Sequence, residues 1–277
     1  MARGGGGVVT ALFVPIAARR EGYASVRATA FTTSVWAETM QHGAPPSALL
    51  ARALEQCAPQ EGSRLARVTM EILGPIPVGE LDVRARVERP GRRVSMLSAE
   101  LVADGPDGIA RAVARATGWR IATSDTADVA HDVDAPLRPG PHESESRWVF
   151  PEHWHGGFLD SLDFRGGEPA TDDGPGSVWA RPKHPVVLGE STSPIVRLFA
   201  VADIANGVAA RLDPTRHTFL NTDLTVEVVR VPRGEWVGVQ ASTALSDDGV
   251  GLCSAVLHDE HGPVGRSFQT LEVRART

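Results

Sequence analysis

Part of this chain is written twice. Pro77, Gly79 and Glu80 return as Pro232, Gly234 and Glu235, Leu97 and Asp104 as Leu252 and Asp259, and Arg111 as Arg266, all at one offset of 155 positions. The order of strand-like segments, helix and hairpins agrees between the two stretches as well. A duplicated chain folds as similar units that bury their apolar faces on their own partners, which points to two copies of one supersecondary pattern. Each copy reads as a long helix followed by antiparallel hairpins. Because such a helix cannot bury its stripe alone and the sheet has an apolar face to offer it, the predicted class is α+β, a curved antiparallel sheet around a central helix in each half. The expected division is 1–122 for the first unit, 123–147 for a connection rich in Asp, Ser, Thr, Pro and His, and 148–277 for the second.

Within the first unit a glycine leader precedes strands expected at Val8 to Val14 and Tyr23 to Phe31. Pro45 and Pro46 exclude a helix interior, and the apolar spacing from Ser47 through Ala48, Leu49, Ala51, Leu54 and Cys57 predicts a helix just after His42, Gly43 and Ala44. Strands are expected at Arg64 to Leu73, Glu80 to Val87, Val94 to Ala103 and Ile109 to Ile121, with a hairpin turn at Arg89 to Arg92. The second unit should show strand character from Val149 to Leu162, a loop from Gly166 to Gly176, and strands at Val178 to Arg181, Thr218 to Val229, Glu235 to Leu245, Gly251 to His258 and Val264 to Val273.

Charge and cysteine content narrow the function classes. A net charge of −6 over 277 residues argues against a general nucleic-acid binder. No apolar run reaches membrane-spanning length. Cys57 and Cys253 are far apart and lack metal-ligand spacing, so neither a disulfide framework nor a zinc site is indicated, and a reducing cytoplasm fits.

The second-half helix is expected in SPIVRLFAVADIANGVAARL, Ser193 to Leu212, with Ser193 as N-cap and Pro194 in the first turn. Ile195, Leu198, Phe199, Ala202, Ala205 and Ala209 make its buried stripe. Asp203 falls on that stripe, where an unpaired charge costs several kcal/mol. It must be bonded into a site or the helix must be turned outward.

The string from Trp36 to Glu55 with QHGAPPSALLARALE, the hairpin VGELDVRARVERPGRRV, the segment VADIANG, and the closing NTDLTVEVVRVPRGEW with GRSFQTLEV resemble the acyl-CoA thioesterase II family and its thioesterase-like relatives. The resemblance spans nearly the whole chain. It implies a double hot-dog fold, two hot-dog units fused in one polypeptide, and hydrolysis of an acyl-CoA substrate without a metal or other cofactor. It also implies three residues holding the hydrolytic water: Asp203 of VADIANG, Thr222 of NTD and Gln269 of SFQTL. Asp203 is separated from Asn206 by Ile204 and Ala205, a departure from the better-known members. Subtracting the repeat offset from Thr222 and Gln269 leads to Arg67 and Ala114, neither of which could do the same work, so one reaction centre per chain is expected.

Thioester hydrolysis needs an activated water, oxyanion donors and an apolar channel. Asp203 can serve as general base, Thr222 and Gln269 can fix the water by hydrogen bonds, and unpaired N–H groups at the first helix start, around His42, Gly43 and Ala44, can meet the oxyanion. Each residue also has an ordinary structural reading: Thr222 as a strand residue, His42 as a turn or capping residue, Asn206 and Gly207 as packing. His153 and His155 are an isolated pair and give no metal site. Arg84, Arg86, Arg89, Arg92 and Arg93 read as a solvated charged face, with a grip on coenzyme A phosphates as the alternative. Two other functions compete, a non-catalytic acyl-thioester binder and a hot-dog hydratase or dehydratase. The latter ranks lower because the second helix supplies no histidine. A monomer or a homodimer of fused chains is compatible with this architecture.

Overall fold

The computed structural model describes residues 10–144, 154, 156–171 and 174–276. The strands of the first half are β1 (Phe13–Ile16), β2 (Ala24–Ala28), β3 (Ser63–Ile72), β4 (Glu80–Arg89), β5 (Val94–Asp104) and β6 (Ala110–Ala122), with helix α1 (Ala44–Gln56) between β2 and β3. The second half holds α2 (Gly157–Asp160), β7 (Leu162–Glu168), β8 (Gly176–Pro182), α3 (Pro194–Ala202), α4 (Ala205–Val208), β9 (His217–Asn221), β10 (Asp223–Val228), β11 (Val237–Leu245), β12 (Val250–Asp259) and β13 (Gly262–Ala275).

All these strands join one antiparallel sheet in the order β1-β2-β4-β5-β6-β3-β10-β13-β12-β11-β8-β7, with β9 also paired to β13. Read outward from the β3–β10 junction, the two halves use matching strands: β3, β6, β5, β4, β2 on one side and β10, β13, β12, β11, β8 on the other. The offset of the sequence repeat carries β4, β5 and β6 onto β11, β12 and β13. At the junction Thr225 pairs with Thr69, and their hydroxyls bond at 3.1 Å.

The helices pack on each other and on the sheet. Ala44, Ala48, Leu49, Leu50, Ala51 and Leu54 of α1 are buried, as are Ile195, Leu198, Phe199 and Ala202 of α3. The small residues let the two backbones approach closely enough for the Ser47 hydroxyl to donate to the Phe199 carbonyl at 3.0 Å. The far end of α1 is closed by a side chain from the sheet. The buried Arg120 guanidinium on β6 donates to the carbonyls of Leu54, Cys57 and Ala58 at 2.7 to 2.8 Å, supplying partners that a helix C-terminus lacks.

Several expected boundaries shift for local reasons. Pro45 and Pro46 lie inside α1, because N–H groups of the first turn have no intrahelical acceptor and their loss there is harmless. The first strand runs from Phe13 to Ile16, and residues 1–9 lie outside the described part. Of the segment expected to resume as a strand, residues 149–153 and 155 lie outside the described part and the end forms the short helical turn α2, while β7 includes Gly166 and Gly167 of the expected loop. The helix over Ser193 to Leu212 is interrupted after Ala202, and the strand over Thr218 to Val229 is interrupted at Thr222. Both interruptions occur at candidate site residues.

His258 on β12 stands apart from the site and yields a stability prediction. Its ring is fully buried, neither nitrogen has a hydrogen-bond partner, and burial pushes its pKa down to about 4 despite Asp134 and Asp259 nearby; Arg230 adds to the lowering. The unfolded imidazole takes up a proton near pH 6.5 that the folded one refuses, so stability is complete above that value and declines as pH falls towards 4, by about 3 kcal/mol in all. Asp259 acts in a lower window: burial alone would raise its pKa, but Arg230 and the N–H groups of Arg233 and His261 hold it below the ordinary value, and its contribution fades only under acid conditions. Urea melts of wild type and His258→Leu between pH 4 and 8 should show the slope between pH 6.5 and 4 flattened in the variant. An unchanged slope would remove His258 as its source.

Candidate active site

Asp203 ends α3 and is 2% exposed. Its Oδ1 accepts from Asn221 Nδ2 at 2.7 Å and from Gln269 Nε2 at 3.0 Å. Its Oδ2 lies 3.2 Å from His42 Nδ1. The carboxylate thus has one oxygen fixed by two neutral amides and the other facing the start of α1. These contacts satisfy the requirement that the sequence imposed on a charge in the apolar stripe.

The break between α3 and α4 is built by Gln269. In a continuous helix the Asp203 carbonyl and the Asn206 N–H would both enter the i to i−4 ladder. Here Gln269 Nε2 donates to the Asp203 carbonyl at 3.2 Å, and Gln269 Oε1 accepts from the Asn206 N–H at 3.2 Å. One fully buried side-chain amide therefore satisfies both backbone groups freed by the interruption. The Ile204 N–H turns back to Val201 and the Gly207 N–H to Ile204, the tighter three-residue pattern. Asp203 is consequently released from regular helix geometry and anchored to β13.

The strand interruption at Thr222 has a register cause. Asn221 pairs with Leu271, whereas Thr225 pairs with Phe268, so four steps on one strand span three on β13. The extra residue is a bulge, which re-aims side chains. Asn221 shares the inward face with Leu271 and Gln269 and reaches Asp203. Thr222 is exposed, and its hydroxyl lies 3.4 Å from both the Asp223 carboxylate and the Thr270 carbonyl. The structure brings Asp203 and Gln269 together and substitutes Asn221 for Thr222 beside the carboxylate. Alternation counted from buried Phe219 is the sequence signal for Asn221, since Phe219 and Asn221 share a face and Thr222 takes the other.

His42, Gly43 and Ala44 sit at the α1 N-terminus against this carboxylate. A Cβ on Gly43 would stand 2.5 Å from Asp203 Oδ2, so only glycine permits the approach. The Ala44 N–H lies 3.1 Å from His42 Nδ1. One ring nitrogen cannot accept from Ala44 and donate to Asp203 at once, so the two contacts belong to alternative tautomers. With the proton on Nδ1, His42 donates to the carboxylate and the Ala44 N–H becomes free to bind an incoming oxygen. This histidine stands at the entrance of α1, among the positions expected to line the site, and it reaches the carboxylate that follows α3.

A cavity of about 350 Å³ opens beside these groups, bounded by Trp36, Met40, Leu73, Asn221, Thr222 and Glu272 among others. None of the hairpin arginines lines it; Arg84 pairs with Glu100 and Arg86 with Glu88. His153 and His155 lie outside the described residues, and among those described no cluster of potential ligands could hold a metal ion. No described helix is long and apolar enough to cross a membrane.

Comparison with known proteins identifies the class to which this chain belongs. The acyl-CoA thioesterase N-terminal domain matches residues 32–121 and the acyl-CoA thioesterase C-terminal domain matches residues 130–273. The chain belongs to the acyl-CoA thioesterase family, a family of thioester hydrolases. Among solved structures, a Thermobifida fusca protein provisionally named a thioesterase II is 18% identical, with 95% of each chain covered and a TM-score of 0.71. A hot-dog-fold protein of Alicyclobacillus acidocaldarius is 14% identical over 94% of this chain and 95% of its own, at a TM-score of 0.69. The acyl-CoA thioesterase II of Mycobacterium marinum is 14% identical over 94% of this chain and 96% of its own, at 0.65. No curated protein matches the sequence.

Proposed function

We propose that this chain is two fused hot-dog units with one reaction centre, and that it hydrolyses an acyl-CoA through a water activated by Asp203. The observation that carries the reading is a buried carboxylate with one oxygen pinned by Asn221 and Gln269, its other oxygen beside a helix N-terminus and a cavity. Asp203 Oδ2 takes a proton from water as the water oxygen attacks the thioester carbon. The carbonyl oxygen gains negative charge and is met by the Ala44 N–H, aided by the dipole of α1; one such donor is worth about 2.7 to 4 kcal/mol. The C–S bond then breaks, the departing thiolate takes the proton from Asp203, which restores the carboxylate, and the free acid remains. Gln269 and Asn221 orient the base. Thr222 lines the cavity wall, and the family resemblance implies for it a contact with the attacking water.

Release of free thiol from a panel of acyl-CoAs tests the reading, with enoyl absorbance followed in the same samples. Asn221→Ala should lower kcat by about tenfold or more and Thr222→Val by less, since only Asn221 contacts the base. The reverse order would return the third position to Thr222. One observation favours the hydratase alternative: His42 and Asp203 form an acid/base pair within 3.2 Å. Loss of enoyl absorbance without thiol release would select it.

A further inference from the structure

Two arginines face each other on the strands that lead away from the Asp203 cavity. The β9–β13 ladder leaves the cavity through the cross-strand pairs Leu220–Glu272 and Thr218–Arg274, and two residues further the Arg276 N–H donates to the Arg216 carbonyl at 2.8 Å. Directly opposed residues share a face, so the Arg216 and Arg276 side chains stand side by side. The Glu272 charge is met by Arg274, whose Nε lies 3.0 Å from it. Arg216 and Arg276 are both exposed, and among the described residues no carboxylate lies within ion-pair distance of either. Asp213, the acid nearest to Arg216 in the chain, accepts instead from the Thr215 N–H and hydroxyl at 2.8 and 2.6 Å. In the same half Arg181, Arg230, Arg266 and Arg274 each hold an acid within 3.0 Å. Like charges set directly across a ladder destabilise it, and a shared anion relieves that repulsion.

The spacing suits one anion in particular. Arg276 holds its guanidinium carbon 5.5 Å from the ring centre of Trp36, a residue of the cavity wall, which fixes the pair at the cavity rim. Asn221, in contact with Asp203, lies five residues from Arg216 along β9, about 17 Å at the rise of a strand. The arm of coenzyme A between the thioester sulfur and the first phosphate runs over about thirteen bonds, the length of roughly four extended residues, or about 14 Å. A thioester held at Asp203 with its arm along β9 therefore brings the diphosphate within reach of both guanidinium groups, whose forked donors match phosphate oxygens. We propose that Arg216 and Arg276 bind the diphosphate of the acyl-CoA substrate and so favour coenzyme A thioesters over thioesters without phosphates. The proposal rests on the thioesterase reading of the Asp203 centre.

An acyl thioester of N-acetylcysteamine presents the same reacting group with no phosphate and separates this contact from the chemistry. Thiol release from acyl-CoAs and from the matching N-acetylcysteamine thioesters should be measured for wild type, Arg216→Gln and the double variant Arg216→Gln with Arg276→Gln, beside calorimetric binding of coenzyme A and of pantetheine. The double variant should raise KM for acyl-CoA about tenfold or more with kcat little changed, Arg216→Gln should raise it by less, and KM for the N-acetylcysteamine thioester should stay where it is. Wild type should bind coenzyme A about tenfold or more tighter than pantetheine, a margin that narrows in the double variant and at high salt. Equal wild-type affinity for coenzyme A and pantetheine overturns the proposal, as does a folded double variant with wild-type KM for acyl-CoA. Equal KM increases on both kinds of thioester, the mark of a structural role, overturn it too. Phosphate-dependent binding of coenzyme A with no thiol release from any thioester would instead sink the hydrolase reading and leave the phosphate site standing. Ready hydrolysis of both thioesters with no advantage for coenzyme A would do the opposite.

Discussion

Asp203→Asn should lower kcat by about 10² to 10⁴ while leaving the fold intact, because it removes the proposed general base without changing side-chain shape. The surroundings make this substitution a clean probe. The Asn carbonyl oxygen can still accept from Asn221 and Gln269 at the Oδ1 position, and its NH₂ can donate to an unprotonated His42 Nδ1 at the Oδ2 position. No buried donor or acceptor is left stranded, so thermal stability should change little. KM should move little as well, since the proton transfer belongs to the transition state. Thiol release over a substrate series and melting curves check both halves. A folded variant with wild-type kcat would make the carboxylate a structural element alone and favour an acyl-thioester binding protein.

The parts of this arrangement that local pattern can reveal were visible in the amino-acid order. The repeat marked corresponding strands, the apolar stripe marked Asp203 as a carboxylate needing partners, and the glycine before Ala44 marked the helix entrance. What stayed hidden depends on register. The apolar run through VADIANG gives no sign of a break after Ala202, because the break exists only where the Gln269 amide arrives from β13 to satisfy the freed backbone groups. Likewise the added residue near Thr222 exists only relative to β13, and it decides which of two adjacent polar side chains faces the Asp203 carboxylate. The meeting of His42 with Asp203 is a consequence of α1 packing on α3 across the two halves, which no spacing rule encodes.

Gly43→Ala is expected to reduce kcat/KM by about 10² or more, the scale on which an ångström of misplacement acts. The backbone there is right-handed helical, φ −65° and ψ −26°, so alanine introduces no conformational strain of its own. The new Cβ would instead stand 2.5 Å from Asp203 Oδ2 and 2.9 Å from its Cγ. Oδ1 is tied to Asn221 and Gln269, so the carboxylate can yield only by stretching those bonds or pushing back the α1 entrance that carries the Ala44 N–H. Either movement separates the Asp203 carboxylate from the Ala44 N–H, the proposed base and oxyanion donor. The same collision vanishes if residue 203 has no carboxylate, which makes a double-mutant cycle decisive. In the Asp203→Ala background, Gly43→Ala should cost less than about threefold in residual activity, so that the two losses are far from additive. Full additivity would show that Gly43 acts through some contact other than Asp203, and a folded Gly43→Ala with wild-type kcat/KM would mean that the close approach has no part in the chemistry.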